Sequence, residues 1–216
     1  EGKPAWCYYD NDPANGEKYG KLYNWHAVND TRGLAPEGWH VPSDEEWQEL
    51  VDHLGGDFVA GAKLKEAGQA HWSGGGFDNS NATNESGFTA LPGGQRDAFQ
   101  GYFTDLSSQT YYWSSTSNGE NHAWNRHLVI ENPLVNRNSG KKKYGWSIRC
   151  VKDVPEFTGG DVDHQNSSDQ LIISWSASAD SSGIAQYEYA LGTSSGGIET
   201  VGWTSTGTAT ADTLTG

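Results

Sequence analysis

Methionine is missing from all 216 residues, including position 1. No apolar run is long enough to cross a bilayer or serve as a signal peptide, so the chain reads as an excised piece of a longer precursor that is not inserted in a membrane. Positive charge is also scarce: 14 Lys and Arg face 28 Asp and Glu, for a net charge of −14. All the bases lie at or before Lys152, whereas residues 154–216 carry eight acids and no base, so the charge divides into −6 and −8. That break predicts two domains, 1–153 and 154–216. With Lys141-Lys142-Lys143 as the one basic cluster, nucleic acid and anionic membrane are disfavoured as partners. Calcium, a neutral polymer or a surface protein fits such a chain better.

Cysteine is limited to Cys7 and Cys150, near the two ends of the first segment. They read either as a disulfide staple or as two thiols kept in a reducing compartment, and the staple is the reading adopted. What the sequence has in plenty is glycine, at 28 residues, together with 10 Trp and 10 Tyr. Such a composition, poor in Leu and Ile, predicts a loop-rich fold of short strands, common in exported modules.

The best-defined local signal is Ser43-Asp44-Glu45-Glu46-Trp47. Ser43 and Glu46 can satisfy each other's backbone N–H groups, and three acids sit on the positive end of the helix dipole. Trp47, Leu50, Val51 and Leu54 then follow at helical spacing and Gly55-Gly56 ends the run, predicting a helix over 44–54. A second helix is predicted from an Asp57 cap to Gly68, and no third. Residues 10–16 read as a loop. Residues 5–9, 19–25, 111–115, 123–130 and 145–151 read as strands, with Trp146, Ile148 and Cys150 sharing one face of the last. Residues 68–87 form a long Gly-, Ser-, Asn- and Asp-rich loop.

Six motifs in order carry a family resemblance: Tyr19-Gly20 with Leu22-Tyr23-Asn24-Trp25; Gly38-Trp39-His40-Val41-Pro42-Ser43 with Glu46-Trp47; Ala60-Gly61 with Lys63-Leu64-Lys65; Gly87-Phe88 with Ala90-Leu91-Pro92-Gly93-Gly94; Tyr112-Trp113-Ser114-Ser115; and Gly145 with Arg149-Cys150-Val151. Over residues 6–153 the chain resembles the Fibrobacter succinogenes major paralogous domain, found in exported, often surface-attached bacterial proteins. The resemblance implies an α+β, C-type lectin-like fold, shared with the formylglycine-generating enzyme, with two short helices and short antiparallel strands. Many members carry a further cysteine pair, and those positions are Gly16 and Ala35 here; losing both leaves no orphan thiol, which favours pairing of Cys7 with Cys150. Trp175-Ser176-Ala177, Asp180 and Gly183 to Thr193 resemble a bacterial fibronectin type III domain. A span of 62 residues is short for such a sandwich, so this unit is expected to be C-terminally truncated, with an open edge at the strand around Tyr187 to Leu191.

No nucleophile elbow, phosphate loop or zinc-protease motif is present. A formylglycine-type oxidase is disfavoured because the reactive cysteine pair that chemistry needs is absent, and a scaffold does not imply a function. Asp78, Asn79, Asn81, Asn84 and Glu85 concentrate oxygen ligands of the kind calcium prefers, although without the spacing of an EF-hand. Aromatic rings stack on sugars, with amides and carboxylates fixing orientation. Trp39, Trp47, Trp113 and Trp146 occupy motif positions and are assigned to packing. Trp72, Tyr111, Trp124 and Tyr144, at or beyond the motif edges, are the surface candidates. The ligand face is placed between His122 and Tyr144, with Trp124 outward as a platform, Arg126 beside it, and Asn136 and Arg137 as further polar contacts. The chain is therefore expected to be a non-enzymatic recognition module of a secreted or surface-attached bacterial adhesin, with glycan as the first ligand class. A protein- or peptide-binding module and a structural spacer are the alternatives.

Overall fold

The computed structural model describes residues 2–153 and the backbone of four later strands, 170–174, 187–191, 201–207 and 211–215. The chain divides into two units, Glu1–Asp153 and Val154–Gly216. In chain order the first unit contains β1 (Trp6–Cys7), α1 (Pro13–Tyr19), β2 (Leu22–Tyr23), α2 (Trp25–Val28), β3 (Trp39–His40), α3 (Asp44–His53) and α4 (Ala60–Leu64). Then follow β4 (Gly93–Arg96), β5 (Phe103–Leu106), β6 (Gln109–Ser117), β7 (His122–Val129), β8 (Asn136–Lys141) and β9 (Val151–Lys152). Few helices and mostly strands make it a mixed α and β unit. The later strands are β10 (Gln170–Ser174), β11 (Tyr187–Leu191), β12 (Val201–Gly207) and β13 (Ala211–Thr215), paired antiparallel as β10 with β13 and β11 with β12. The Trp175 to Ala177 and Gly183 to Gln186 parts of the fibronectin-like motif lie outside the described residues.

A five-stranded sheet in the order β5-β4-β6-β7-β8 organises the first unit. Its long central pair, β6 and β7, aligns Tyr111 with His127 and Trp113 with Asn125. Because side chains alternate along a strand, Tyr112 and Trp113 point to opposite faces and seed two cores. On one face Tyr112 and Leu128 pack with Trp47 and Val51 of α3 and with Leu54, Leu64, Trp72 and Ile130. On the other, Trp113 and Ala123 pack with Trp25 and Trp146. Helix α3 starts as its sequence requires. Ser43 Oγ accepts from Glu46 N at 3.1 Å and Glu46 Oε2 accepts from Ser43 N at 2.7 Å, closing a capping box.

Lys65, just past α4, is fully buried and carries its charge into the first core. Its ammonium donates to the carbonyl oxygens of Val129, Ile130 and Asn132 at 2.9, 3.2 and 2.9 Å. Burial lowers its pKa to about 8. These bonds tie the end of β7 and the turn between β7 and β8 to the buried ammonium and help satisfy their backbone acceptors.

Several local expectations are corrected. Among the described residues four α-helices form where two helices are predicted. The segment read as a loop at 10–16 becomes α1, because Asp12 caps it, accepting from Ala14 N at 2.9 Å, and Pro13 suits its first turn. The alternation of 19–25 yields only the two-residue β2. Asn24 then caps α2 by accepting from Ala27 N at 3.1 Å, turning Trp25 into a helical core residue. Asp57 caps nothing, and α4 begins after Val59 without a side-chain cap. Residues 145–148 do not form a ladder either. Gly145, Trp146 and Ser147 bridge singly to Arg96, Tyr23 and Tyr112, so this segment threads between neighbours and pairs as a strand only at β9, against β3.

The disulfide expectation fails: Cys7 and Cys150 are both free thiols. Cys7 pairs with Leu22 in the β1–β2 ladder and lies beside Arg96, whereas Cys150 lines a groove with Trp39, Leu50 and Phe88. Burial raises both thiol pKa values, partly offset at Cys7 by Arg96. At Gly16 an added Cβ would come within 2.2 Å of the Tyr8 ring, so Tyr8 fills the space a cysteine side chain would need. Trp39 is also corrected, being 43% exposed and not packed in a core.

Candidate functional site

The threading of residues 145–148 has a chemical result on the Trp113 face of the sheet. Trp146 lies against Gly140 of β8 so closely that a Cβ there would come within 1.9 Å of the indole. On either side of that indole the aromatic rings align. His127 stacks on Tyr111 at 4.3 Å between centroids, with planes 2° apart. Tyr111 stacks on Trp146 at 5.2 Å and 10°, and Trp146 on Tyr144 at 4.9 Å and 8°. The edge of Tyr144 then meets Phe99, which is 70% exposed, at 6.4 Å. Four parallel rings thus run across the sheet from the β6–β7 ladder to the turn after β8.

Polar groups fix the row along its flank. Tyr111 Oη, with one proton to donate, lies 2.7 Å from Gln109 Oε1 and 3.2 Å from Asp105 Oδ2, and His127 Nε2 meets the same Gln109 oxygen at 2.8 Å. Gln95 donates to Asp105 Oδ2 at 2.6 Å and accepts from Trp146 Nε1 at 2.9 Å. Asp105, within β5, takes φ of 71°, unusual for a residue with a Cβ, and its carboxylate belongs to this network. Burial lowers the His127 pKa to about 4, against the pull of Asp105, and burial with Asp105 raises Tyr111 well above its ordinary value. Near neutral pH the imidazole is therefore uncharged and the phenol keeps its proton.

The opposite face holds the residues placed around Trp124. Ala123 and Asn125 are buried on the Trp113 side, and Trp124 and Arg126 share the other side, as strand alternation requires. No platform results there. The Arg137 guanidinium lies 3.6 Å from the centroid of Trp124 and covers that ring face, while donating to Asp44 Oδ2 through Nε at 2.9 Å and Nη2 at 2.7 Å. Arg126 is 1% exposed, pairing with Asp44 Oδ1 and donating to the Asp44 carbonyl at 2.9 Å. Burial would raise the Asp44 pKa, but hydrogen bonds from Arg137 and Arg126 outweigh it and hold the carboxyl below its usual range. Asp44 thus ties the start of α3 to β7 and β8, so Arg126 is a structural residue and not a ligand contact.

The family model described as Fibrobacter succinogenes major domain matches residues 1–152. The chain belongs to this family. No curated protein and no solved structure matches it.

Within this Fibrobacter succinogenes major domain the remaining candidate residues separate. Tyr111 and Tyr144 are brought together in the ring row. Asn136 lies on the same sheet face as His127, its Nδ2 donating to the His127 carbonyl at 3.4 Å. Trp72 does not reach the surface: it is fully buried and donates from Nε1 to the Ala90 carbonyl at 2.9 Å, anchoring the long loop. The five loop residues considered for calcium serve separate partners. Asp78 accepts from Ser80 N, Asn79 donates to the carbonyls of Glu66 and Gly68, and Asn81 donates to Ile130 O at 3.5 Å. Asn84 exchanges two hydrogen bonds with Thr89, and Glu85 turns to Lys63 at 3.5 Å. Among the described residues no group of three or more His, Cys, Asp or Glu is placed to hold a metal ion.

His127, Trp146, Gln109, Asp105 and Gln95 are absent from the candidates drawn from sequence. Strand alternation does align Tyr111 with His127 once the β6–β7 register is known. Trp146 is assigned to packing by its motif and, at 4% exposed, it does pack. Its second role, spacing the two tyrosines, depends on the threading of residues 145–148, which alternation cannot show.

Proposed function

We propose that this Fibrobacter succinogenes major domain is a non-enzymatic glycan-recognition module of a secreted or surface-attached bacterial protein. On this reading it has a C-type lectin-like scaffold and is followed by a partial fibronectin-like unit. The observation that carries it is the row His127, Tyr111, Trp146 and Tyr144, with parallel planes and a flank of amides and one carboxylate. Sugar rings are apolar on their faces and polar at their rims; the inner faces of the row are occupied by one another, so the face it can offer is that of its end ring, Tyr144, beside exposed Phe99. Rigidity supports binding, because a platform ordered in the free protein has less conformational entropy to lose. Tyr144 and exposed Phe99 form the accessible end, and Trp146 holds them in place from behind.

Pull-down on insoluble polysaccharides and a glycan array test this reading. Tyr144→Ala is expected to weaken binding about tenfold or more if stacking contributes roughly 1–3 kcal/mol, on the scale measured for bases on aromatic side chains. Trp124→Ala, on the opposite face, is expected to leave affinity within about twofold and to lower stability instead. Equal affinity of Tyr144→Ala and the unaltered chain would remove the row from recognition. Turnover of a bound glycan would make the module an enzyme.

A further inference from the structure

Beyond Phe99 the row opens onto a cleft of about 560 Å³ in which Lys141, Lys142 and Lys143 come together with His26 and His122. It stands out on a chain with a net charge of −14. Lys142 is positioned by the fold: its Nζ donates to the carbonyl oxygens of Gly119 and Glu120, both at 3.0 Å, and lies 4.3 Å from the centroid of the Trp25 ring. Lys141 Nζ sits 4.1 Å from the centroid of Phe99. These partners are neutral, and neither Lys141 nor Lys142 forms an ion pair among the described residues. Glu120 lines the cleft without pairing to them. His26 responds to the resulting field: burial lowers its pKa first, and Lys142 and Lys143 lower it further. Lys141 and Lys142 are thus held by carbonyl dipoles and ring faces, which leaves the charge of these two side chains uncompensated.

We propose that this cleft binds the anionic substituent, carboxylate or sulfate ester, of an acidic polysaccharide. The inference rests on the glycan reading and deepens it to a substrate class. Geometry joins the two sites, because Phe99 meets both Tyr144, at 6.4 Å between ring centroids, and Lys141, whose Nζ is 4.1 Å from its centroid. A saccharide stacked on Tyr144 and Phe99 therefore carries its neighbouring substituent toward Lys141 and Lys142.

The test uses the full chain in affinity electrophoresis against polygalacturonate, dextran sulfate and a neutral β-glucan, with inorganic sulfate as competitor. The double variant Lys141→Gln with Lys143→Gln leaves the positioned Lys142 in place, and its melting temperature establishes that it is folded. Binding to an acidic polymer should fall about tenfold in this variant and weaken with added salt. Binding to the neutral polymer should change by less than about twofold, because it engages no charge. Preference for polygalacturonate over dextran sulfate would assign the carboxylate, and the reverse preference the sulfate ester. Equal loss on acidic and neutral polymers, or none on either, overturns the inference, whereas displacement by inorganic sulfate at concentrations too low for general screening supports an anion site. Tyr144→Ala separates the two readings. If it abolishes binding while the lysine variant has no effect, recognition by the row stands and the cleft falls. If the lysine variant alone abolishes binding, the cleft stands and stacking falls.

Discussion

Removal of the Asp44 carboxylate tests how the first unit is held together. Arg126 has 1% of its side chain exposed, and its Nε already lacks a hydrogen-bond partner among the described residues. In Asp44→Ala the guanidinium would keep the carbonyl of residue 44 and Gln48 Oε1 at 3.3 Å, but no counter-charge. An unpaired buried charge costs about 3–5 kcal/mol, and loss of an acid from the first turn of α3 adds a few tenths. For a unit of this size that corresponds to a melting temperature about 6–20 °C lower. Arg137→Ala offers the contrast. Its side chain is 42% exposed, so its loss should cost only about 1 kcal/mol, mostly through the stack on Trp124. The double substitution Asp44→Leu with Arg126→Met should recover most of the loss, because apolar side chains of similar volume often replace a buried pair without penalty. Urea unfolding followed by Trp fluorescence measures all four chains. The pH dependence gives a second check. A carboxyl held below its ordinary pKa contributes stability that is present above the unfolded value, about 3.9, and is lost as the pH falls through the folded one. Asp44→Ala should flatten this acid limb. A cost below about 1 kcal/mol for Asp44→Ala would refute the assignment of Arg126 as a charge dependent on this partner.

Further outcomes follow from other contacts. His40 lies between Asp153 Oδ1 at 2.5 Å and Glu46 Oε1 at 2.7 Å, and those hydrogen bonds, Asp153 first, raise its pKa. Its stabilising contribution is fully present below the unfolded value near 6.5 and is lost as the pH rises through the folded one; exposure limits it to under about 1 kcal/mol. An imidazole titration by NMR should give a value above 6.5 that drops in Asp153→Asn. Gly140→Ala must displace the Trp146 indole, so it should cost about 1–3 kcal/mol and shift the Trp fluorescence. Two thiols per chain should react with a thiol reagent after unfolding without reductant; none would restore the disulfide.

Local chemistry was readable wherever one residue's neighbours along the chain decide its conformation. The Ser43 and Glu46 capping box and α3 follow from five consecutive residues, and β6 and β7 follow from alternation. The cap formed by Asp12 with Pro13 was equally local, and turn-forming composition masked it. What alternation could not supply is a partner. Residues 109 and 127, or 44 and 126, meet only because the β6–β7 register and the docking of α3 bring them together. β8 reads Asn-Arg-Asn-Ser-Gly-Lys and lacks the apolar period that marks a strand, since its core side is covered by the Trp146 ring over Gly140. The ring row therefore stayed hidden although two of its members, Tyr111 and Tyr144, had been singled out.

The three carbonyl oxygens around Lys65 make the arrangement that loops often reserve for a dissolved cation. Here the positive charge arrives on the polypeptide itself, synthesised with the loop it organises. An ammonium on a four-carbon tether cannot be dialysed away or stripped by a chelator. Nor does its local concentration follow the ionic composition of the fluid outside. The turn between β7 and β8 is thereby independent of mineral supply.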